Sequence, residues 1–395
     1  MSPKVSRATY FMAMPGLLLS LVASAVASQG GGTPPARSCE ACHREIVTTF
    51  LETAHFRTSA DASAQSIKGD FAAGHNVLRT GSKGISFRME RRDNAFYQTA
   101  VDSARAWTRT ERIDLVIGSA RRGQSYLYWR GGLLFELPVS YLVGIERWIN
   151  SPGYVDGQID FARLIVPHCL ECHSTSFPLR TAGGGTWYAR NYVLGISCEK
   201  CHGDGRAHVR YQASHPTETS GRYIFNPASF SRNRRVDNCA LCHSGERDPK
   251  APPFSYRPGE KLDDYFAPPA RATAAVPDVH GNQVSLLQRS KCFRSSPDMS
   301  CSTCHDVHRP QRDVAAFVQK CLGCHETSRH PMAAEIGGRL MTACIDCHMP
   351  NRKSKAIEIN TATKPFALYY RTHAIGIYPE VARAVLRSNS DERSK

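Results

Sequence analysis

Seven copies of the pentapeptide C-x-x-C-H run along this 395-residue chain. They comprise Cys39, Cys42 and His43; Cys169, Cys172 and His173; Cys198, Cys201 and His202; Cys239, Cys242 and His243; Cys301, Cys304 and His305; Cys321, Cys324 and His325; and Cys344, Cys347 and His348. With 15 Cys and 16 His available, chance placement predicts about 0.02 such units. Thiols three residues apart share one face of a helical turn, and the His that follows stands beside them. This is the attachment pattern of a c-type haem: the thiols become thioethers on two vinyl groups, and the His binds the iron from one side. One copy alone also fits a redox dithiol or half a zinc site. Seven copies, each with His in fifth place, point to seven covalent haems c.

Residues 1–28 read as a secretory signal. Lys4 and Arg7 give the charged start, 11–22 the apolar run, and Ala25-Val26-Ala27 the small-residue cleavage site. The mature chain is then expected to begin near Gln29 in the periplasm, where thiols are oxidised and haems c are attached. A retained signal anchor and an extracellular location are the alternatives. No later apolar run reaches the ~20 residues of a membrane helix. The formal net charge of +15 is offset by about −14 from the propionates of seven haems, so arginines are expected to pair with propionates. Nucleic-acid binding is thereby disfavoured, and the oligomeric state is left open.

The first haem segment is expected over 39–83, after a flexible leader at 29–38. Cys39–Thr53 has helical spacing, with Ile46, Thr49, Phe50 and Thr53 on one face. Residues 84–145 lack Cys and His and read as a β-rich insertion. Phe87 and Met89 alternate with polar neighbours, and Gly131-Gly132 separates two β-prone runs as a hairpin turn. Its aromatics, Phe87, Tyr97, Tyr126 and Trp129, read as core or haem-packing residues. Residues 146–248 carry units two to four, and 249–290 form a Pro-rich wrapping segment. Residues 291–387 carry units five to seven and a C-terminal ligand segment; 388–395 read as a disordered tail. Only 15 residues separate His305 from Cys321 and 18 separate His325 from Cys344, so these haems are expected to lie close together, as are haems two and three. The fold class expected is mainly α: a loop-rich multihaem cytochrome c with a haem-dominated core, plus the β-rich insertion.

Nine His remain once the seven proximal ligands are assigned. His55, His208, His280, His308, His330 and His373 are the first candidates for distal iron ligands, and His75, His168 and His215 form a second group. The supply can close every iron with His, which favours electron transfer over substrate binding. Met89, Met299, Met332, Met341 and Met349 stand in no context that marks a ligand. Cys292 is the odd thiol, read as a buried free Cys, with an intermolecular disulfide or a reactive thiol as the alternatives.

From Cys39 to Tyr378 the chain resembles the cytochrome c-554 type, within the superfamily of hydroxylamine oxidoreductase and cytochrome c nitrite reductase. The stretches that carry the likeness are IGSARRGQSYLYW, GGLLFELPVSY, WINSPGY, CEKCHGDGRAHV, FSYRPGEKLDDYF, CSTCHDVH and CIDCHMP. The resemblance implies a mostly helical protein with stacked and perpendicular haem pairs and a periplasmic role in respiratory electron transfer. It also implies distal roles for a His after the C-H-G-x-G turn and a His just past a C-x-x-C-H, here His208 and His308. Two departures stand out: seven units rather than four or eight, and no unit ending in Lys, the mark of the catalytic haem in cytochrome c nitrite reductase. The function expected is electron carriage between respiratory partners, such as other cytochromes or quinol-linked membrane complexes, through mostly bis-His haems. The alternative is reduction or oxidation of nitrite, hydroxylamine, nitric oxide or tetrathionate at one five-coordinate haem. No catalytic residue is singled out.

Overall fold

A computed structural model describes residues 36–269, 282–359, 366–384 and 386. The signal segment, most of the leader, the tail and His280 lie outside the described residues. Among the described residues the named α-helices are short: α1 Ala36–Phe50, α2 Pro167–His173, α3 Cys198–His202, α4 Arg206–Ser214, α5 Arg232–His243, α6 Gln283–Gln288, α7 Lys291–Ser295, α8 Val314–Leu322, α9 Ala333–Ile336 and α10 Cys344–His348. Strands β1 Ser59–Asp61, β2 Val77–Arg79, β3 Ile85–Arg92, β4 Ala95–Asp102 and β5 Trp107–Ile113 are followed by β6 Leu115–Ile117, β7 Gly123–Arg130, β8 Leu133–Glu136, β9 Val139–Leu142 and β10 Arg147–Asn150. Three antiparallel pairs complete the set: β11 Ser174–Ser176 with β14 Val193–Leu194, β12 Leu179–Ala182 with β13 Gly185–Tyr188, and β15 Asn351–Ile359 with β16 Phe366–Arg371.

The expected mainly-α class is therefore wrong. Of the described residues 32% are helical and 24% lie in strands of several antiparallel sheets. The physical reason is economy in the attachment motif. C-x-x-C-H needs a single helical turn, so seven units require little helix: α3 and α10 consist of nothing else.

The sheets follow from period-two burial. In β3, Phe87 and Met89 point inward and Arg88 outward. One sheet runs β2-β3-β4-β5; the other runs β1-β6-β7-β9-β10, with β8 also paired to β7. Their facing sides share one apolar cluster containing Phe87, Met89, Phe96, Tyr126, Tyr128, Leu137, Tyr141 and Trp148. Each such side chain contributes roughly 1.5–3 kcal/mol by leaving water. This part of the molecule is thus a β-sandwich with its own aromatic core, not one built on haem. Gln98 ties the two sheets together: its amide Nε2–H donates to the Val139 carbonyl at 2.7 Å, and its Oε1 accepts the Val139 N–H at 3.2 Å. The hairpin expected at Gly131-Gly132 forms, with Arg130 opposite Leu133. Both glycines have positive φ, 58° and 79°, which a two-residue hairpin turn of this hand requires.

The remaining chain packs on one side of the sandwich through smaller clusters. Leu170 of α2 joins Leu115, Leu127, Leu134, Phe177 and Tyr192, while Trp129 stacks on Phe177 and Tyr192. Val236, Ala240 and Leu241 of α5 pack with Leu262, Phe266, Val284 and Phe293.

Candidate haem centres

Each attachment unit sits on one turn of helix. The first lies in α1, whose backbone leaves helical geometry at His43 (φ −115°, ψ 37°). The second, third, fourth and seventh end α2, α3, α5 and α10. The fifth occupies a 3-10 turn opened by a Ser300–Thr303 capping box. The sixth straddles the end of α8. None of the fifteen Cys is in a disulfide.

Five of the seven unit histidines face a spare histidine. Ring centroids are 6.4 Å apart for His43 and His208, 6.0 Å for His202 and His308, and 6.1 Å for His305 and His373, with planes inclined by 17°, 21° and 26°. His243 and His55 stand 6.0 Å apart at 77°, and His348 and His330 6.1 Å apart at 73°. Two imidazoles bound through nitrogen at ~2.0 Å on opposite sides of one metal have centroids about 6.3 Å apart. Bare imidazole stacking would bring the faces closer, as Tyr211 and His215 show at 4.2 Å.

Backbone carbonyls fix the tautomers. His202 Nδ1–H donates to Phe225 at 2.9 Å, His208 to Arg222 at 2.9 Å, His348 to Gly376 at 2.8 Å and His373 to Arg371 at 3.4 Å. A proton on Nδ1 leaves the Nε2 lone pair free to bind a metal. His330 differs, since the Met332 N–H donates to its Nδ1 at 3.2 Å. Burial, with neighbouring imidazoles adding, pushes His243 and His373 down to about 4. Burial also lowers His55, His305 and His308. The neutral ring so favoured is the ligating form.

The loop carrying His55 is clamped by backbone contacts. Its carbonyl accepts the Ile196 N–H at 3.0 Å, and Gly195 N–H donates to Ser59 Oγ at 2.9 Å. At Gly195, φ is +67° and a Cβ would stand 2.1 Å from the Phe56 carbonyl oxygen, so only glycine fits.

The thiols show which units adjoin. Cys39 hydrogen-bonds with Cys198, Cys172 with Cys242, and Cys239 with Cys301. The bond with Cys198 is the main cause that brings Cys39 down to about 6. Cys201 feels the charge of Cys242, Cys304 that of Cys324, and Cys321 that of Cys344 and Cys304. The second unit thus meets the fourth, while the third adjoins the first and fourth. The fifth, sixth and seventh follow one another.

The chain matches known proteins in the same terms. The family model "Cytochrome c554 and c-prime" matches residues 154–203, which include the second and third units. Over 161 residues the chain is 24% identical to the C-type polyheme cytochrome OmcC of Geobacter sulfurreducens; the match covers 40% of this chain and 20% of that relative's length.

The chain is a multihaem c-type cytochrome.

The cytochrome's backbone is also similar to a solved structure, the outer cell wall cytochrome OcwA, with a TM-score of 0.57, 16% identity, and coverage of 88% of this chain and 80% of that one. The undecaheme cytochrome from the S-layer of Carboxydothermus ferrireducens superposes at a TM-score of 0.38, with 13% identity over 88% of this chain and 59% of that one; a superposition of that quality carries no argument.

The residues present fit covalent haem c. Thiols three apart would supply the attachment, and in five of the seven units a pair of imidazoles at metal-bridging separation would hold the iron. Among the described residues no group of three or more His, Cys, Asp or Glu converges as a bare-metal site. The second group of spare histidines is engaged elsewhere. His75 pairs with Asp70 at 2.6 Å, His168 with Glu171 at 3.0 Å, and His215 stacks on Tyr211. His173 has its Nδ1 at 3.0 Å from Thr58 Oγ1, a contact that no sequence signal announced. Cys292 is half-buried, close enough to Cys304 and Cys321 for its charge to be felt by both. No helix among the described residues is long and apolar enough to cross a membrane.

Proposed function

We propose that this chain is an exported heptahaem cytochrome that relays electrons between redox proteins. Cys39 and Cys42, Cys169 and Cys172, Cys198 and Cys201, Cys239 and Cys242, Cys301 and Cys304, Cys321 and Cys324, and Cys344 and Cys347 attach the seven haems. The observation that carries the reading is the fivefold pairing of a unit histidine with a histidine remote in sequence at 6.0–6.4 Å. Haem bound there supplies one-electron chemistry at potentials set by its axial ligands. His43, His202, His243, His305 and His348 hold the iron from the attachment side. His208, His308, His55, His373 and His330 close the opposite side, in that order. The adjoining thiols support a reading in which macrocycle edges lie side by side. Other cytochromes or quinol-linked membrane complexes in the periplasm are the partners this reading assigns, with docking through patches around exposed haem edges.

The test begins with mass. The denatured, signal-cleaved protein is expected to carry seven haem masses; five or fewer in properly matured protein would overturn the assignment. The reduced protein is then mixed anaerobically with nitrite, hydroxylamine, nitric oxide or tetrathionate. Slow reoxidation by all four with fast exchange to another cytochrome is the outcome expected of a relay. Rapid, repeated turnover of one of them, blocked by cyanide, marks an enzyme instead.

A further inference from the structure

Residues 55–59 touch two candidate centres at once. His55 faces His243 of the fourth unit. Three residues on, Thr58 Oγ1 stands 3.0 Å from Nδ1 of His173, the unit histidine of the second. The two are 115 positions apart in the chain, so tertiary structure alone brings them together. Ser59, which is buried, anchors the same histidine by its backbone. Its hydroxyl donates to the His173 carbonyl at 2.5 Å and accepts the Gly195 N–H at 2.9 Å. The turn itself is fixed by the sandwich. The Thr58 carbonyl accepts the Gly118 N–H at 2.7 Å, and β1, which begins at Ser59, pairs with β6. The Thr58 N–H closes the turn on the His55 carbonyl at 3.2 Å. Both backbone groups of Thr58 are therefore held, and its hydroxyl meets His173 in a fixed place.

We propose that Thr58 is a positioning residue for the second haem: its hydroxyl oxygen accepts the Nδ1 proton of His173, turns Nε2 toward the iron of the haem attached at Cys169 and Cys172, and tunes that haem's potential. This rests on the reading of the seven units as haem sites. An imidazole that binds metal through Nε2 keeps its proton on Nδ1, so the hydroxyl is the acceptor in this contact. The stronger the acceptor, the more electron density the ring gives to iron, and the more the ferric state is favoured. His202 and His348 offer their Nδ1 protons to the backbone carbonyls of Phe225 and Gly376. A hydroxyl oxygen is a weaker acceptor than an amide carbonyl. The contact with Thr58 therefore holds the second haem at a higher potential than a carbonyl in the same place would give. Cys172 hydrogen-bonds with Cys242, so the second unit adjoins the fourth. In the relay, Thr58 then acts on the electron step between those two haems, one of which takes its distal ligand, His55, from the same turn.

Redox titration and electron paramagnetic resonance of the fully matured protein are the measurements. Thr58→Val keeps the shape of the side chain and removes the acceptor. One midpoint potential is expected to rise and one ferric signal to move, with the haem mass unchanged. Thr58→Ser, which keeps the hydroxyl, is expected to restore both. In the double variant Cys169→Ala/Cys172→Ala the haem mass count should fall by one, and the midpoint and signal that Thr58→Val moves should be missing. Should Thr58→Val fail to mature, Thr58→Asn offers Nδ1 an amide oxygen and is expected to lower the same midpoint. Midpoints and signals unmoved in Thr58→Val, or in Thr58→Asn where it takes that variant's place, overturn the positioning role. A Thr58→Ser protein as altered as Thr58→Val shows that the methyl group packs rather than that the hydroxyl bonds, and overturns it too. Persistence of the affected midpoint and signal in the double variant refutes the placement at the second haem. A haem mass count that does not fall in the double variant overturns the haem assignment of the second unit itself.

Discussion

At the scale of single residues, axial imidazoles give the sharpest predictions. His208 faces His43, and His308 faces His202. His208→Ala or His308→Ala is therefore expected to turn one low-spin haem high-spin and raise its potential, since axial identity sets potential over a range of about 0.8 V. His215→Ala, which removes a ring stacked on Tyr211, should leave the spectrum unchanged; electron paramagnetic resonance with redox titration reads both. Plane angles add a second prediction. Nearly parallel rings split two iron d orbitals and crossed rings leave them close in energy. The pairs inclined by 17–26° and those inclined by 73–77° should give two classes of low-spin ferric signal, and a single class would contradict this geometry. The candidates themselves were legible because a repeated pentapeptide fixes the demand for ligands and composition fixes the supply. Their partners were not, because His55 reaches His243 and His43 reaches His208 across long stretches of chain that only tertiary structure closes. Nor was the contact of Thr58 with His173 legible, because a lone Thr carries no pattern.

Elements show where sequence periodicity speaks and where it is silent. The β7–β8 hairpin was readable from its turn residues, Gly131-Gly132, and β3 from the alternation of Phe87 and Met89 with polar neighbours. The class of the fold was not, because one-turn helices carrying C-x-x-C-H look like the starts of longer ones. Short strands such as β1, β6 and β14 are also too brief for alternation to register. Gln98, a polar residue within β4, joins the two sheets. Gln98→Met would leave the Val139 N–H and carbonyl unpartnered in a buried setting, which costs about 2–4 kcal/mol. Denaturant unfolding followed by tryptophan fluorescence should show that loss with haem content unchanged. Gly195→Ala would place a methyl against the Phe56 carbonyl at positive φ, costing about 2–3 kcal/mol. Because the same turn holds the His55 loop, this variant should also perturb the haem signal that His55→Ala perturbs. An unaltered spectrum would show that the loop keeps its place without the clamp.

Across the whole molecule, the contacts among attachment units describe a branch rather than a line. The fourth unit touches three others: Cys242 meets Cys172 of the second, Cys201 of the third lies near Cys242, and Cys239 meets Cys301 of the fifth. Helix α5, which ends in this unit, packs on α2 and on the turn of the fifth unit. Its His243 lies within reach of the charges of His55, His305 and His373. One arm continues from the third unit to the first, a second ends at the second unit, and a third runs through the fifth and sixth to the seventh. In the proposed relay the fourth haem is then the junction that every electron crossing between arms must use. Close spacing in sequence did not reveal this, since the second and third units are near in the chain yet each makes its thiol hydrogen bond elsewhere, to the fourth and the first. The prediction is that His55→Met, which exchanges one imidazole of the junction for a thioether, raises the potential of that haem. It should make the junction a trap that holds an electron. Stopped-flow reduction should then show one haem filling early, followed by slower equilibration among the rest than in the unaltered protein. Equilibration at an undiminished rate, with the raised potential confirmed by titration, would mean that the arms exchange electrons without the fourth haem and that the branch is not the route.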